Sequence, residues 1–203
     1  QALAKIPTEK YLTERVDFAT FSSHKFHGVR GVGFVYIKSG KKITPLLTGG
    51  GQERDYRSTT ENVAGIAATA KALRLSMEKL DIFTSKTGQM KAVIRQALLD
   101  YPDISVFSDE EDFAPHILTF GIKGVRGEVI VHAFEDYDIF ISTTSACSSK
   151  AGKPAGTLIA MGVDKDKAQS AVRLSLDLEN DMSQVEQFLT KLKLIYNQTR
   201  KVR

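Results

Sequence analysis

The hydrophobic period of this 203-residue chain changes at Glu61, and that change limits the folds open to it. From there Val63, Ile66, Ala67, Ala70, Leu73, Met77 and Leu80 recur at intervals of three and four, the spacing of one helix face. Ser58 and Glu61 are spaced as a capping box at its start. Met90, Val93, Ile94, Ala97 and Leu98 predict a second helix shortly after it. A helix pair in this position reads as a bridge between two bodies.

The flanks have the other period. Upstream, Val16 to Phe21 predicts a short strand, the polar stretch Ser22 to Gly28 a turn, and Gly31 to Lys38 a buried strand stopped by Ser39-Gly40. Gly49-Gly50-Gly51 forces a flexible loop. Downstream, strands are expected at Ile117–Ile122, Asp138–Ser142 and Ala171–Leu176, with Val129, Ile130, Ala133 and Phe134 on a helix face. Ser183 and Glu186 are spaced to cap a last helix, whose Val185, Phe188, Leu189, Leu192, Ile195 and Tyr196 form one long apolar face. Helices alternating with strands, without internal repeats, predict a layered α/β or α+β arrangement.

Apolar content of 42% and charged content of 26% are ordinary for a globular protein, and no stretch approaches the roughly 20 apolar residues of a membrane span. A cytoplasmic protein without membrane contact is expected. The net charge of +4 is scattered, and its densest cluster, Thr199 to Arg203, reads as a solvated helix end. No direct nucleic-acid partner is expected from it.

Cys147 is the only cysteine, so an intrachain disulfide and a cysteine-based zinc site are both excluded. It sits in Ser142-Thr143-Thr144-Ser145-Ala146-Cys147-Ser148-Ser149, a run of small polar residues unlike the apolar setting of a structural thiol. A nucleophile, a regulatory thiol and a spectator remain open on that ground.

Far upstream, Ser22-Ser23-His24-Lys25-Phe26-His27-Gly28 sets one lysine between two imidazoles, two hydroxyls and a glycine, directly after a strand. An amine that forms an imine, beside groups that hold a phosphate dianion, is what bound pyridoxal phosphate requires. An isolated match of this kind is more often an exposed turn with a solvated lysine. Two further segments follow it in order: the glycine-rich Gly49 to Asn62, ending in hydroxyls at a helix start suited to an anion, and the Cys147 loop.

Taken together, VDFATFSSHKFHGVRGVGFVYI, GGGQERDYRSTTENV, STTSACSSK and AVRLSL resemble the class I (NifS/IscS-like) cysteine desulfurases of the aminotransferase class V family, across essentially the whole chain. The resemblance implies the second part of a pyridoxal-phosphate-dependent fold-type I large domain plus the C-terminal small α+β domain. Residues 1–65 would be the remnant of the large domain, 66–100 linking helices, and 101–203 the small domain with the cysteine loop.

By the same resemblance Lys25 matches the lysine that forms a Schiff base with the cofactor, and Ser22 and His24 match positions that contact its phosphate. Thr60 matches a threonine that reaches the phosphate in the neighbouring subunit, implying a homodimer. Arg173 matches the arginine that pairs with the substrate carboxylate, and Cys147 the sulfur-accepting nucleophile. The chain departs from the family at Thr59, where glycine is usual, and at Thr143-Thr144, where Ser-Gly is more common; both add side chains to tight loops.

The opening QALAK resembles the continuation of a DxxQALAK segment, so Gln1 matches the glutamine at the cofactor's phenolic oxygen. The aspartate that pairs with the pyridine nitrogen would stand three residues earlier. The resemblance therefore implies the C-terminal half of a desulfurase, expected to hold no cofactor and to be inactive when alone. The complete enzyme would convert L-cysteine to L-alanine, leave persulfide sulfur on Cys147, and supply an acceptor protein, either an Fe–S scaffold or a tRNA-thiolation enzyme. A selenocysteine lyase or other β-lyase, and a non-catalytic C-terminal dimerisation fragment, are the rival readings.

Overall fold

The computed structural model describes residues 1–108, 113–143 and 156–201, the side chains of 200 and 201 excepted. The chain divides into two compact units, Gln1–Asp81 and Ile82–Arg203. The two helices of the expected linking stretch fall one to each unit, apart from the first two residues of the second helix.

In the first unit, β1 (Phe18–Ser22) and β2 (Gly33–Ile37) form an antiparallel pair in which Phe18 opposes Ile37 and Ser22 opposes Gly33. β2 was expected to be buried, yet Phe34, Val35 and Tyr36 are each about two-fifths exposed. The unit gives β2 one partner strand, and its buried cluster holds only Leu3, Ala4 and Phe26, with Phe21, Ala72 and Leu73 against it. Phe34 is stacked on Phe21 at 5.0 Å and meets Phe26 edge-on at 6.5 Å.

Helix α1 (Val63–Glu78) is capped by Asn62, whose Oδ1 accepts from Gly65 N at 3.0 Å. The expected Ser58 and Glu61 box is not used, because Asn62 stands directly before the first helical residue and already satisfies a free amide of the first turn. The face expected to be buried is also displaced. Val63, Ile66 and Met77 are exposed, while Gly65 and Thr69 are buried and Ala72, Leu73 and Ser76 are partly so. The small side chains let the helix approach closely: a Cβ on Gly65 would stand 2.8 Å from Val32 Cγ2.

The second unit opens with α2 (Leu80–Leu98) and builds a four-stranded antiparallel sheet in the order β3-β4-β6-β5. The strands are β3 (Ile104–Val106), β4 (Ile117–Ile122), β5 (Ser142–Thr143) and β6 (Ala171–Ser175). Helices α3 (Gly127–Glu135) and α6 (Met182–Lys201) flank the core, and α4 (Gly156–Ala160) and α5 (Lys165–Gln169) are short.

β4 occupies the expected residues. β5 does not extend back to Asp138, because Tyr137, Asp138 and Ile139 donate to the last carbonyls of α3, with Asp138 at φ 57°. Closing a helix end in this way removes these residues from an extended conformation.

One core cluster joins Met90, Ile94 and Leu98 of α2, Leu118 and Phe120 of β4, Val172 of β6 and the expected face of α6. Burying Phe188, Leu192 and Ile195 contributes about 1.5–3 kcal/mol each. Ala171, one residue before Val172, belongs to a smaller cluster with Leu158 and Ala168. α6 starts earlier than Ser183. Asp181 Oδ1 accepts from Gln184 N at 3.0 Å while Gln184 Oε1 accepts from Asp181 N at 3.2 Å, a reciprocal box. Among the described residues no helix is long and apolar enough to cross a membrane.

Candidate active site

The SSHK motif is a single 3-10 turn, Ser23–Phe26, entered from the end of β1. Strand alternation leaves Ser22 exposed and turns Ser23 wholly inward. Phe26 closes the turn at 1% exposure, and its carbonyl accepts from Ser76 Oγ of α1 at 3.1 Å. His24 and Lys25, between these two buried anchors, both project into the open.

The anchor at Ser23 is polar and depends on α1. Thr69 Oγ1 lies 2.9 Å from Ser23 Oγ and 2.7 Å from the Gly65 carbonyl. One hydroxyl proton serves one acceptor, and a carbonyl can only accept, so Thr69 donates to Gly65 and Ser23 donates to Thr69. The Ser23 carbonyl accepts from His27 N and from Gly28 N, the latter at 3.0 Å, and Ser23 N donates to the Val32 carbonyl at 3.0 Å. His27 takes the left-handed conformation at φ 64°, which reverses the chain, and a Cβ on Gly28 would lie 1.9 Å from Ser23 Oγ. Lys25 therefore rides on a fixed backbone with a free side-chain head.

Gln1 is exposed, two residues before Leu3, which packs with Ala4 and Phe26 in one buried cluster. Thr60 is exposed in the approach to α1, two residues before Asn62. An exposed amine, a hydroxyl at Ser22 and an imidazole at His24 suit an aldehyde cofactor carrying a phosphate. The turn fits part of such a cradle.

Arg173 lies in the second unit, at the middle of β6 with β4 on one side and β5 on the other. It is half-buried, and its Nε is buried without a hydrogen-bond partner among the described residues. A buried guanidinium donor without an acceptor is costly. Cys147, with Thr144 beside it, lies outside the described residues. Thr143 is partly buried in β5 and Thr59 exposed in its loop.

Ser23 as a scaffold and Thr69 as its partner are not among the residues expected from the sequence. Their signal was present: alternation from Ser22 makes Ser23 inward, and Gly65, Thr69, Ala72 and Ser76 mark a second, small-residue face on α1.

A family model for aminotransferase class-V matches residues 2–188. A NifS/IcsS protein homolog from Lactobacillus delbrueckii subsp. bulgaricus is 47% identical over 203 residues, covering 100% of this chain and 53% of the relative. The cysteine desulfurase IscS of Clostridium botulinum is 35% identical over 190 residues, covering 92% and 48%. A solved NifS-like protein superposes with a TM-score of 0.83 at 35% identity, covering 97% of this chain and 50% of that one. The NifS-like protein of Rickettsia africae also gives 0.83, at 29% identity. The chain spans about half the length of the curated relatives it matches.

Proposed function

The chain belongs to the aminotransferase class-V family, and from that membership we propose that it is the C-terminal half of a pyridoxal-phosphate-dependent cysteine desulfurase. The family is pyridoxal-phosphate-dependent. The observation that carries the reading is the presentation of Lys25: two buried anchors, Ser23 and Phe26, fix the backbone on both sides of an exposed amine. A lysine that was merely solvated would not need its turn hydrogen-bonded into α1.

Each residue then has a task. Lys25 would hold the cofactor through its amine, Ser22 and His24 would hold its phosphate, and Gln1 would contact the same group. Thr60 serves the phosphate of a second subunit, so the working protein is a homodimer. Bound pyridoxal phosphate supplies an electron sink for the pair released at the substrate Cα. Arg173 fixes the α-carboxylate of L-cysteine through a two-nitrogen fork. The Cys147 thiolate attacks the substrate sulfur, the carbon–sulfur bond breaks toward carbon, and L-alanine leaves with the sulfur retained as persulfide on Cys147. An acceptor protein for Fe–S assembly or tRNA thiolation takes it onward in the cytoplasm.

The test measures alanine release from L-cysteine by this chain alone and by the chain co-expressed with the remaining half of its Lactobacillus relative. Activity is expected only in the second case, with Lys25→Ala abolishing both turnover and cofactor absorbance. Cys147→Ala is expected to abolish turnover and keep the absorbance. Sulfur transfer that survives Cys147→Ala would remove the nucleophile assignment. A β-lyase without need of Cys147 would then be the better reading.

A further inference from the structure

Antiparallel register sets Thr119 of β4 directly opposite Arg173 on one side and Ser142 of β5 directly opposite it on the other. Directly opposed residues project from the same face of a sheet, with Cβ atoms roughly 4.5–5.5 Å apart. Arg173 is thus bracketed by two hydroxyl-bearing side chains in one row. The neighbouring rows on that face hold Gly121 opposite Ala171 and Ile117 opposite Ser175, so Arg173 supplies the charge there.

Among the described residues Arg173 has no ion pair and its buried Nε has no acceptor. A half-buried cation in this state has a head that neither an acid nor a hydroxyl yet holds. Arginine side chains lose about 1.5–2 kcal/mol of rotamer freedom when fixed, so an anion binding to a loose head must supply that ordering itself. A flanking hydroxyl that accepts from a guanidinium N–H orients the fork and can donate its own proton to the anion.

We propose that Thr119 and Ser142 are positioning residues for Arg173, forming with it a three-residue row that takes a carboxylate. The proposal rests on the reading of Arg173 given under Proposed function. The hydroxyls accept from the guanidinium edge when its terminal nitrogens engage an α-carboxylate, and their protons turn toward the carboxylate oxygens. Their contribution falls on substrate capture, and the bond-breaking steps lie elsewhere.

Thr119→Val and Ser142→Ala in the complete holoprotein test this, with Arg173→Lys beside them. Each hydroxyl loss is expected to raise KM for L-cysteine about tenfold, the lower range for a hydrogen bond to a charged group, with kcat held within about twofold. Thr119→Ser and Ser142→Thr should restore KM, which a packing role for the Thr119 methyl would not allow. An increase in KM for Arg173→Lys with none for Thr119→Val or Ser142→Ala overturns the row and leaves Arg173 standing. An unchanged KM in Arg173→Lys overturns both. Should Thr119→Val misfold, Ser142→Ala, at a partly exposed strand, carries the same decision.

Discussion

Thr69→Val isolates the contact that holds the lysine turn. Valine keeps the shape of threonine and removes the hydroxyl, so Ser23 Oγ, on a residue with 0% exposure, loses its acceptor. Leaving a buried hydroxyl unpaired costs about 1–3 kcal/mol, which is about 5- to 150-fold in the local opening constant at 1.4 kcal/mol per decade. Ser23→Ala is predicted to be milder. Thr69 keeps its donation to the Gly65 carbonyl and loses only what it accepted, about 0.5–1.5 kcal/mol. The double variant removes both partners, so adding Ser23→Ala to Thr69→Val should recover part of the loss.

Native-state hydrogen exchange is the suitable assay, since the chain has no tryptophan and contains two units that need not unfold together. The reporting amides are Ser23, His27 and Gly28, whose acceptors all lie at the turn or at Val32. Faster exchange at these amides in Thr69→Val, with unchanged exchange in α6, is the expected result. Ser23→Ala costing as much as Thr69→Val, or no recovery in the double variant, would refute the assigned direction of the two hydrogen bonds.

Gly28→Ala places a Cβ 1.9 Å from Ser23 Oγ and 3.0 Å from the Ser23 carbonyl oxygen. Relief requires moving the turn, at about 1–3 kcal/mol, so cofactor absorbance in the complete protein should weaken; undiminished loading would show that Ser23 is not the anchor. Asp181 is held below the ordinary aspartate range first by the hydrogen bond from Ser183 and then by that from Gln184 N. With the folded value depressed, protection of the first turn of α6 is complete above the unfolded value and is lost as pH falls through the folded one. Asp181→Asn keeps a cap and should abolish the acid step in Gln184 exchange; an acid step that persists would place its origin in another group.

What the sequence showed depended on how far each pattern ran. The α6 face repeats over several turns and every member packs as expected, and β4 is apolar throughout except for Thr119 and Gly121. α1 misled because it has two low-polarity faces, one of branched side chains and one of small ones, and hydropathy favours the larger residues. Close approach favours the smaller. Ser183 and Ser58 were plausible caps on type alone, but a cap is decided by which acceptor sits one residue before the helix, and Asp181 and Asn62 do. Ser22, His24 and Lys25 stand out as candidates because they fall within one four-residue segment. The Thr69 partner, 46 residues from Ser23, and the Thr119 and Ser142 flanks of Arg173 do not, since long-range register leaves no local pattern.

Lys25 and Arg173 are held in a common manner despite lying in different units. In each the backbone is heavily determined, by a hydrogen-bonded turn packed on α1 in one case and by a strand paired on both edges in the other. The functional head is left without the partner that folding alone would favour, exposed at Lys25 and unmatched at the Nε of Arg173. Stability selected by itself would have paired such a guanidinium with an acid or replaced it, because a buried donor without an acceptor weakens the fold. Rigid carriage with an unsatisfied head is the arrangement that, under the proposed function, leaves each group to a ligand, an aldehyde at Lys25 and a carboxylate at Arg173.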